Sequence, residues 1–174
     1  MGKKIFVACD TTNILKVKKI IKHTQTRKLK IGYKFGLEFL NSKNGRFFIS
    51  KIKNKIIFAD LKLNDIPNTC VSTIRALEDL KINYLTIHIS SGIEALKAIK
   101  KISGRIKIVG VTTLTSLNNK SLKQIGYTKS VKNLVIHQAR LANKANLLEI
   151  PEQGKNFFKK LVKNIYIIKY LKDG

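Results

Sequence analysis

Apolar positions along the chain gather into short dense runs separated by amphipathic stretches. Runs at residues 4–9, 28–33, 55–61, 84–89 and 105–112 are rich in Ile, Val, Phe and Leu, with little apolar–polar alternation. Continuous apolar runs of this length mark strands buried on both faces, as in a parallel sheet. Between them the spacing turns helical. Ile14, Leu15, Val17, Ile20 and Ile21 predict a helix over 12–22. Further helices are predicted over 68–80, 93–102 and 131–144, with a shorter one over 119–125. Residues 36–50 read as a helical or mixed segment containing an Asn44-Gly45 turn. Strands alternating with helices at this spacing imply βαβ units and an α/β fold. A TIM barrel and an open doubly wound sheet both satisfy the pattern. No GxGxxG follows the first strand and no P-loop occurs, so nothing points to a dinucleotide or nucleoside-triphosphate site.

Composition narrows the class. At 174 residues and 44% hydrophobic content, the chain suits one domain, expected to span residues 1–174, with a real core. No apolar run approaches the roughly 20 residues a membrane-spanning helix needs. The early run Ile5-Phe6-Val7-Ala8-Cys9 stops at Asp10 without a small-residue cleavage site, so it reads as a strand rather than a signal peptide. Phe6 stands where a myristoylation motif needs Ser or Thr. Cys9 and Cys70 lack metal-ligand or CxxC spacing and read as small buried hydrophobes of a reduced, cytoplasmic protein. The net charge of +25 raises the possibility of a nucleic-acid partner. Yet the lysines are spread among Ile and Asn, as an AT-rich genome encodes, and the five arginines lie far apart. That distribution describes a solvated basic surface and no specific nucleic-acid footprint.

The polar residues at the strand ends decide between barrel and open sheet. Asp10 closes the first predicted strand, Lys30 lies in the second, Asp60 and Lys62 close the third, and His88 closes the fourth. Thr112 to Ser116 follow the fifth. TIM barrels assemble their active sites at this carboxyl-terminal face, from several strands. Ordinary turn and cap chemistry explains Asp10 or Ser116 singly, but not lysines inside apolar strands. Alternation along a strand puts Asp60 and Lys62 on one side. Burying such charges is costly unless they pair, and Lys30 on the neighbouring strand could join them. A plain buried salt bridge is the competing reading. His23 and His137 lie on predicted helices and read as surface residues, and His88 could equally be a core histidine.

The stretch Ala59-Asp60-Leu61-Lys62-Leu63-Asn64-Asp65-Ile66-Pro67-Asn68-Thr69 resembles the signature of orotidine 5′-phosphate decarboxylases. Its Asp-x-Lys-x-x-Asp part is shared with the sister hexulose-phosphate synthases and ketogulonate-phosphate decarboxylases, whereas Ile-Pro-Asn-Thr points to the orotidylate branch. Supporting matches are Val7 to Asp10, Leu29-Lys30-Ile31-Gly32, Ile87-His88 before Ser91-Gly92, and Val111 to Ser116. The resemblance implies a TIM (β/α)8-type barrel, cofactor-free decarboxylation of orotidine 5′-phosphate in pyrimidine biosynthesis, and a cytoplasmic homodimer with shared active sites. It implies that Lys30, Asp60, Lys62 and Asp65 form an alternating charged tetrad. It further implies that Asp10 holds the ribose, that Asp65, Ile66 and Thr69 reach the partner's site, that His88 lies near the ribose or tetrad, and that Ser116 reads the pyrimidine.

After Leu147 the sequence departs from the family pattern. Leu148 to Gly154 stands where a sixth strand is expected, then a helix-like 157–162 and a strand-like 164–168 resume the rhythm. Lys169 to Gly174 stands where the family carries Thr-Pro-Gly-Ile-Arg, ahead of an eighth strand. The expectation is a barrel of about six to seven βα units that lacks strand 8 and its phosphate-binding end, through frameshift or early stop. Poor catalysis, an inactive remnant, or a sister phosphosugar activity are the alternatives that follow.

Overall fold

The computed structural model describes residues 4–150 and 165–169. Along them run β1 (Lys4–Ala8), α1 (Ile14–His23), β2 (Lys30–Gly36), α2 (Leu37–Leu40), α3 (Gly45–Lys51), β3 (Ile56–Leu63) and α4 (Pro67–Ala76). There follow β4 (Tyr84–His88), α5 (Gly92–Ile102), β5 (Lys107–Val111), α6 (Asn119–Gln124), α7 (Val131–Lys144), β6 (Leu148–Ile150) and β7 (Ile165–Lys169). The chain gathers into two compact units. One comprises Met1–Leu61, Ala76–Leu85 and Asn164–Gly174, the other Lys62–Arg75 and Thr86–Lys163.

In the first unit β1 is flanked by β2 and β7, and β3 lies beyond β2. Each of these pairs is parallel, with Lys4 opposite both Lys30 and Ile165, and Gly36 opposite Asp60. The Phe6 ring packs edge-on against Phe58 and Tyr84, with centroids 5.0 Å away in each case. Gly32 sits beside Phe6 in the ladder, and a Cβ there would meet that ring at 2.5 Å. Glycine is what lets the ring cross. Helix α1 is capped by the Asn13 side chain, which accepts from Lys16 N–H at 3.0 Å. It buries Val17 and Ile20, and its end is pinned where the buried Tyr33 hydroxyl donates to Ile21 O at 3.2 Å.

In the second unit β5 lies between β4 and β6, and β6 runs parallel to β5 with Val111 opposite Ile150. Helix α7 starts from the Ser130 cap and buries Leu134, Val135, Gln138, Ala139 and Ala142 along one face. Helix α6 is opened by a capping box between Asn118 and Ser121.

Several boundaries differ from those the pattern predicts. Strand β2 continues to Gly36, because Tyr33 and Phe35 keep supplying buried side chains beyond residue 33. The mixed segment resolves into α2 and α3, and the Asn44-Gly45 turn is present: Gly45 N–H donates to Ser42 O at 3.1 Å, and Asn44 is also the N-cap of α3. The helix predicted over 68–80 stops at Ala76, and a 3₁₀ turn, Glu78–Leu80, follows before Lys81 turns left-handed at φ 49°. Strand β6 occupies Leu148–Ile150, where the sequence pattern offered none. Strand β7 falls on the strand-like run, whereas the helix read over 157–162 lies outside the described residues.

Candidate active site

The charged cluster of the first unit is built at the ends of three neighbouring strands. Asp60 lies in β3 and is 8% exposed, below the buried Phe58 and Ala59. Lys34, on β2, donates from Nζ to Asp60 Oδ2 at 2.9 Å and lies 3.6 Å from Asp10 Oδ1. Asp10 follows β1, and the adjoining Cys9 N–H donates to Lys34 O at 2.9 Å, tying the two strand ends together. Lys34 and Asp60 are nearly enclosed and Asp10 opens to solvent. Burial pulls the Lys34 ammonium down, but the Asp60 charge and hydrogen bond, joined by Asp10, more than reverse it. Its pKa therefore lies above the ordinary 10.5.

The lysine that meets Asp60 is thus Lys34, not Lys30. Lys30 opens β2, is exposed and stands opposite Lys4, whereas Gly36 at the other end of β2 stands opposite Asp60. Six residues of strand put it about 20 Å away along the sheet. Residues 30 and 34 share a parity and therefore a face, so alternation alone could not tell them apart. The usable signal was Phe35: Lys34 is flanked by Tyr33 and Phe35, so large apolar side chains continue past residue 33, where the predicted strand ends.

Leu61 alone separates Asp60 from Lys62, where the second unit begins. Lys62 has a left-handed backbone, φ 47°, a conformation that costs a non-glycine residue on the order of 1–2 kcal/mol. Its N–H donates to Thr86 Oγ1 at 2.7 Å. The chain then leaves β3 through a loop held by its own contacts. Ser91 Oγ donates to Asn64 Oδ1 at 3.1 Å, and Asp65 Oδ1 accepts from Ile66 N–H at 2.8 Å. The Cys70 thiol donates to Asp65 O at 3.3 Å. Asp65, Ile66 and Thr69 are all exposed, Ile66 by 65%. His88 ends β4, half-buried, ahead of the 3₁₀ turn Ile89–Ser91.

Ser116 is exposed on the loop between β5 and α6. That loop has a buried anchor that sequence reasoning missed. Gln138 Oε1, on α7, accepts from Thr113 N–H at 2.7 Å and from Thr113 Oγ1 at 2.9 Å. The signal was present in sequence, since Gln138 falls within the apolar stripe of α7. Next to it, Thr112 is 1% exposed and its hydroxyl has no hydrogen-bond partner among the described residues.

Residues 3–167 match the model of the orotidine 5′-phosphate decarboxylase / HUMPS family. The chain belongs to that family. A relative from Wolbachia pipientis subsp. Culex pipiens (strain wPip), named orotidine 5′-phosphate decarboxylase, is 43% identical over 118 residues, covering 66% of this chain and 52% of the relative. One of the same name from Wolbachia sp. subsp. Brugia malayi (strain TRS) is 39% identical over 150 residues, covering 82% and 64%. The chain thus spans about half to two thirds of the length of these curated relatives. The crystal structure of orotidine 5′-phosphate decarboxylase from Lactobacillus acidophilus superposes with a TM-score of 0.79 at 25% identity, over 95% of this chain and 80% of that one. The fold is α/β of the TIM-barrel type seen in these family members. Among the described residues no helix is long and apolar enough to cross a membrane.

Proposed function

We propose that this family member decarboxylates orotidine 5′-phosphate to uridine 5′-phosphate in the cytoplasm, without metal or cofactor, as a homodimer. The observation that carries the reading is the Lys34 ammonium held between Asp60 and Asp10 at the ends of β1, β2 and β3. It holds the Asp60 carboxylate two residues before Lys62, within the Asp-x-Lys-x-x-Asp stretch. The family match over residues 3–167 supports reading both units as parts of one domain.

Decarboxylation breaks the bond between ring carbon 6 and the substrate carboxylate. Carbon dioxide leaves, and the electron pair stays on carbon 6. Asp60, paired with Lys34, would repel the substrate carboxylate and favour its departure. Lys62 would stabilise the developing carbanion and then deliver its ammonium proton to carbon 6. The roles combine electrostatic preorganisation with general-acid catalysis. Asp10 would accept from the ribose, and Ser116 would meet the pyrimidine edge. Lys34, which meets Asp60 at 2.9 Å, would take the place in the charged tetrad that the resemblance implied for Lys30. The exposure of Asp65, Ile66 and Thr69 together, with a large apolar side chain among them, favours their serving a partner subunit's site.

The test is loss of orotidylate absorbance on adding purified protein, with and without chelator. Turnover that survives chelation is the expected result. No turnover above a protein-free control would remove the activity. Chelator-sensitive turnover of a phosphosugar would move the chain to the sister branch.

A further inference from the structure

Lys62 sits in a backbone conformation that lysine does not favour. The φ of 47° turns the chain out of regular strand geometry within β3. What holds the backbone is a contact from β4: the Lys62 N–H donates to Thr86 Oγ1 at 2.7 Å. Thr86 is 3% exposed and lies between Leu85 and Ile87, both fully buried. A hydroxyl in that apolar strand is costly unless it is used, and one use is to meet the Lys62 amide.

We infer that Thr86 is a positioning residue for Lys62: its hydroxyl fixes the left-handed backbone from which the lysine side chain departs. The inference rests on the proposed role of Lys62 as proton donor. A proton donor has to be held within tenths of an ångström of its target, and an error of about 1 Å can cost on the order of a hundredfold in rate. A residue at φ 47° is poorly held by its own preferences, so its geometry depends on its anchor. Valine at 86 matches threonine in shape but cannot accept the hydrogen bond. Serine keeps the acceptor. A merely structural threonine would make both replacements matter through stability alone.

The experiment compares wild type, Thr86→Val and Thr86→Ser by amide hydrogen exchange at Lys62 and by orotidylate kinetics, with urea unfolding as the control for stability. The Lys62 amide should exchange at least about tenfold faster in Thr86→Val than in wild type, as expected for a lost hydrogen bond worth about 1.4 kcal/mol. It should stay protected in Thr86→Ser. In Thr86→Val kcat should fall by about tenfold or more with KM within about twofold, and Thr86→Ser should recover most of it. Unchanged Lys62 protection in Thr86→Val overturns the anchoring, and unchanged kcat despite lost protection overturns the positioning role. Should Thr86→Val fail to fold, Thr86→Ala carries the same comparison. A wild-type protein that turns over no orotidylate refutes the proposed activity by itself, and amide exchange then decides alone whether Thr86 anchors Lys62.

Discussion

Lys34 and Asp60 meet across 2.9 Å, with side chains only 12% and 10% exposed. Removing one partner of such a pair leaves the other as an uncompensated buried charge, which costs about 3–5 kcal/mol. Lys34→Ala should therefore lose that much stability and all measurable turnover. Lys30→Ala, on the exposed start of β2, should stay within about 0.5 kcal/mol of wild type and keep its activity. Urea unfolding and the orotidylate assay on both variants separate the two lysines. A harmless Lys34→Ala would dissolve the cluster.

The left-handed backbone of Lys62 sets glycine and alanine against each other. Both substitutions should abolish turnover, since both remove the ammonium. Lys62→Gly should nevertheless be more stable than Lys62→Ala by about 1 kcal/mol, because only glycine takes positive φ without a steric penalty. Elsewhere in a strand the order is reversed. Denaturant midpoints of the two variants decide it, and an alanine variant at least as stable as the glycine one would mean that the backbone relaxes.

Thr112 offers a gain in stability. Its buried hydroxyl lacks a partner among the described residues, so Thr112→Val removes a desolvated polar group while keeping the shape. A stabilisation of about 1 kcal/mol is expected, which for a chain of this size raises Tm by about 2–4 °C. A lower Tm would show that the hydroxyl is used. Turnover measured on the same variant reports whether that use is substrate.

Alkaline pH should unfold the protein in a defined order. Burial, followed by the Asp10 charge, pushes the Cys9 thiol from 9.0 up to about 12. The folded protein therefore keeps a proton that the unfolded chain releases above pH 9, and stability falls by about 1.4 kcal/mol per pH unit in that window. Tyr33, raised from 10.0 chiefly by burial, adds the same sign of loss beyond pH 10. Lys34 is raised as well, so its contribution is complete below 10.5 and disappears as pH climbs through its folded value. Cys9→Ala should weaken the onset near pH 9, leaving the part contributed by Cys70, which burial also raises from 9.0. Urea midpoints at pH 8, 9 and 10 test this, and an onset that ignores Cys9→Ala would count against the assignment.

Shared sites in a dimer predict complementation. Lys62→Ala and Asp65→Ala subunits should each be inactive alone, and mixing them should restore one working site per heterodimer. Verified subunit exchange without recovered turnover would mean that each site is built from one chain.

Much of this architecture was legible in the sequence because strands, helices and the Asp60 to Thr69 stretch are local patterns. Continuous apolar runs placed β1, β3, β4 and β5, and Ile-Pro-Asn-Thr carried the family resemblance. What escaped was set by neighbours rather than by spacing. Strand parity assigned lysines to a face but not to a height, so Lys30 stood in for Lys34. The φ of Lys62 is imposed with help from a threonine on another strand, and no residue type at position 62 announces it. Gln138 was hidden differently: a polar residue in an apolar helical stripe reads as noise until its partner, Thr113, is known.

The parallel ladder that joins β1 to β7 has a consequence for the order in which the chain can assemble. In the order of synthesis, Lys4 of β1 has to wait for Ile165 of β7, far along the chain. Until then β1 carries an unpaired edge on the side away from β2, and the first unit, drawn from three separate stretches of sequence, is unfinished. The stretches of the second unit, Lys62–Arg75 and Thr86–Lys163, are already synthesised by that point. Closing so long a loop comes late and slowly, because its entropy is lost before the new contacts form. A nascent chain stalled before β7 should therefore present the β1 edge to other strands, which makes this stage of synthesis the one most exposed to aggregation.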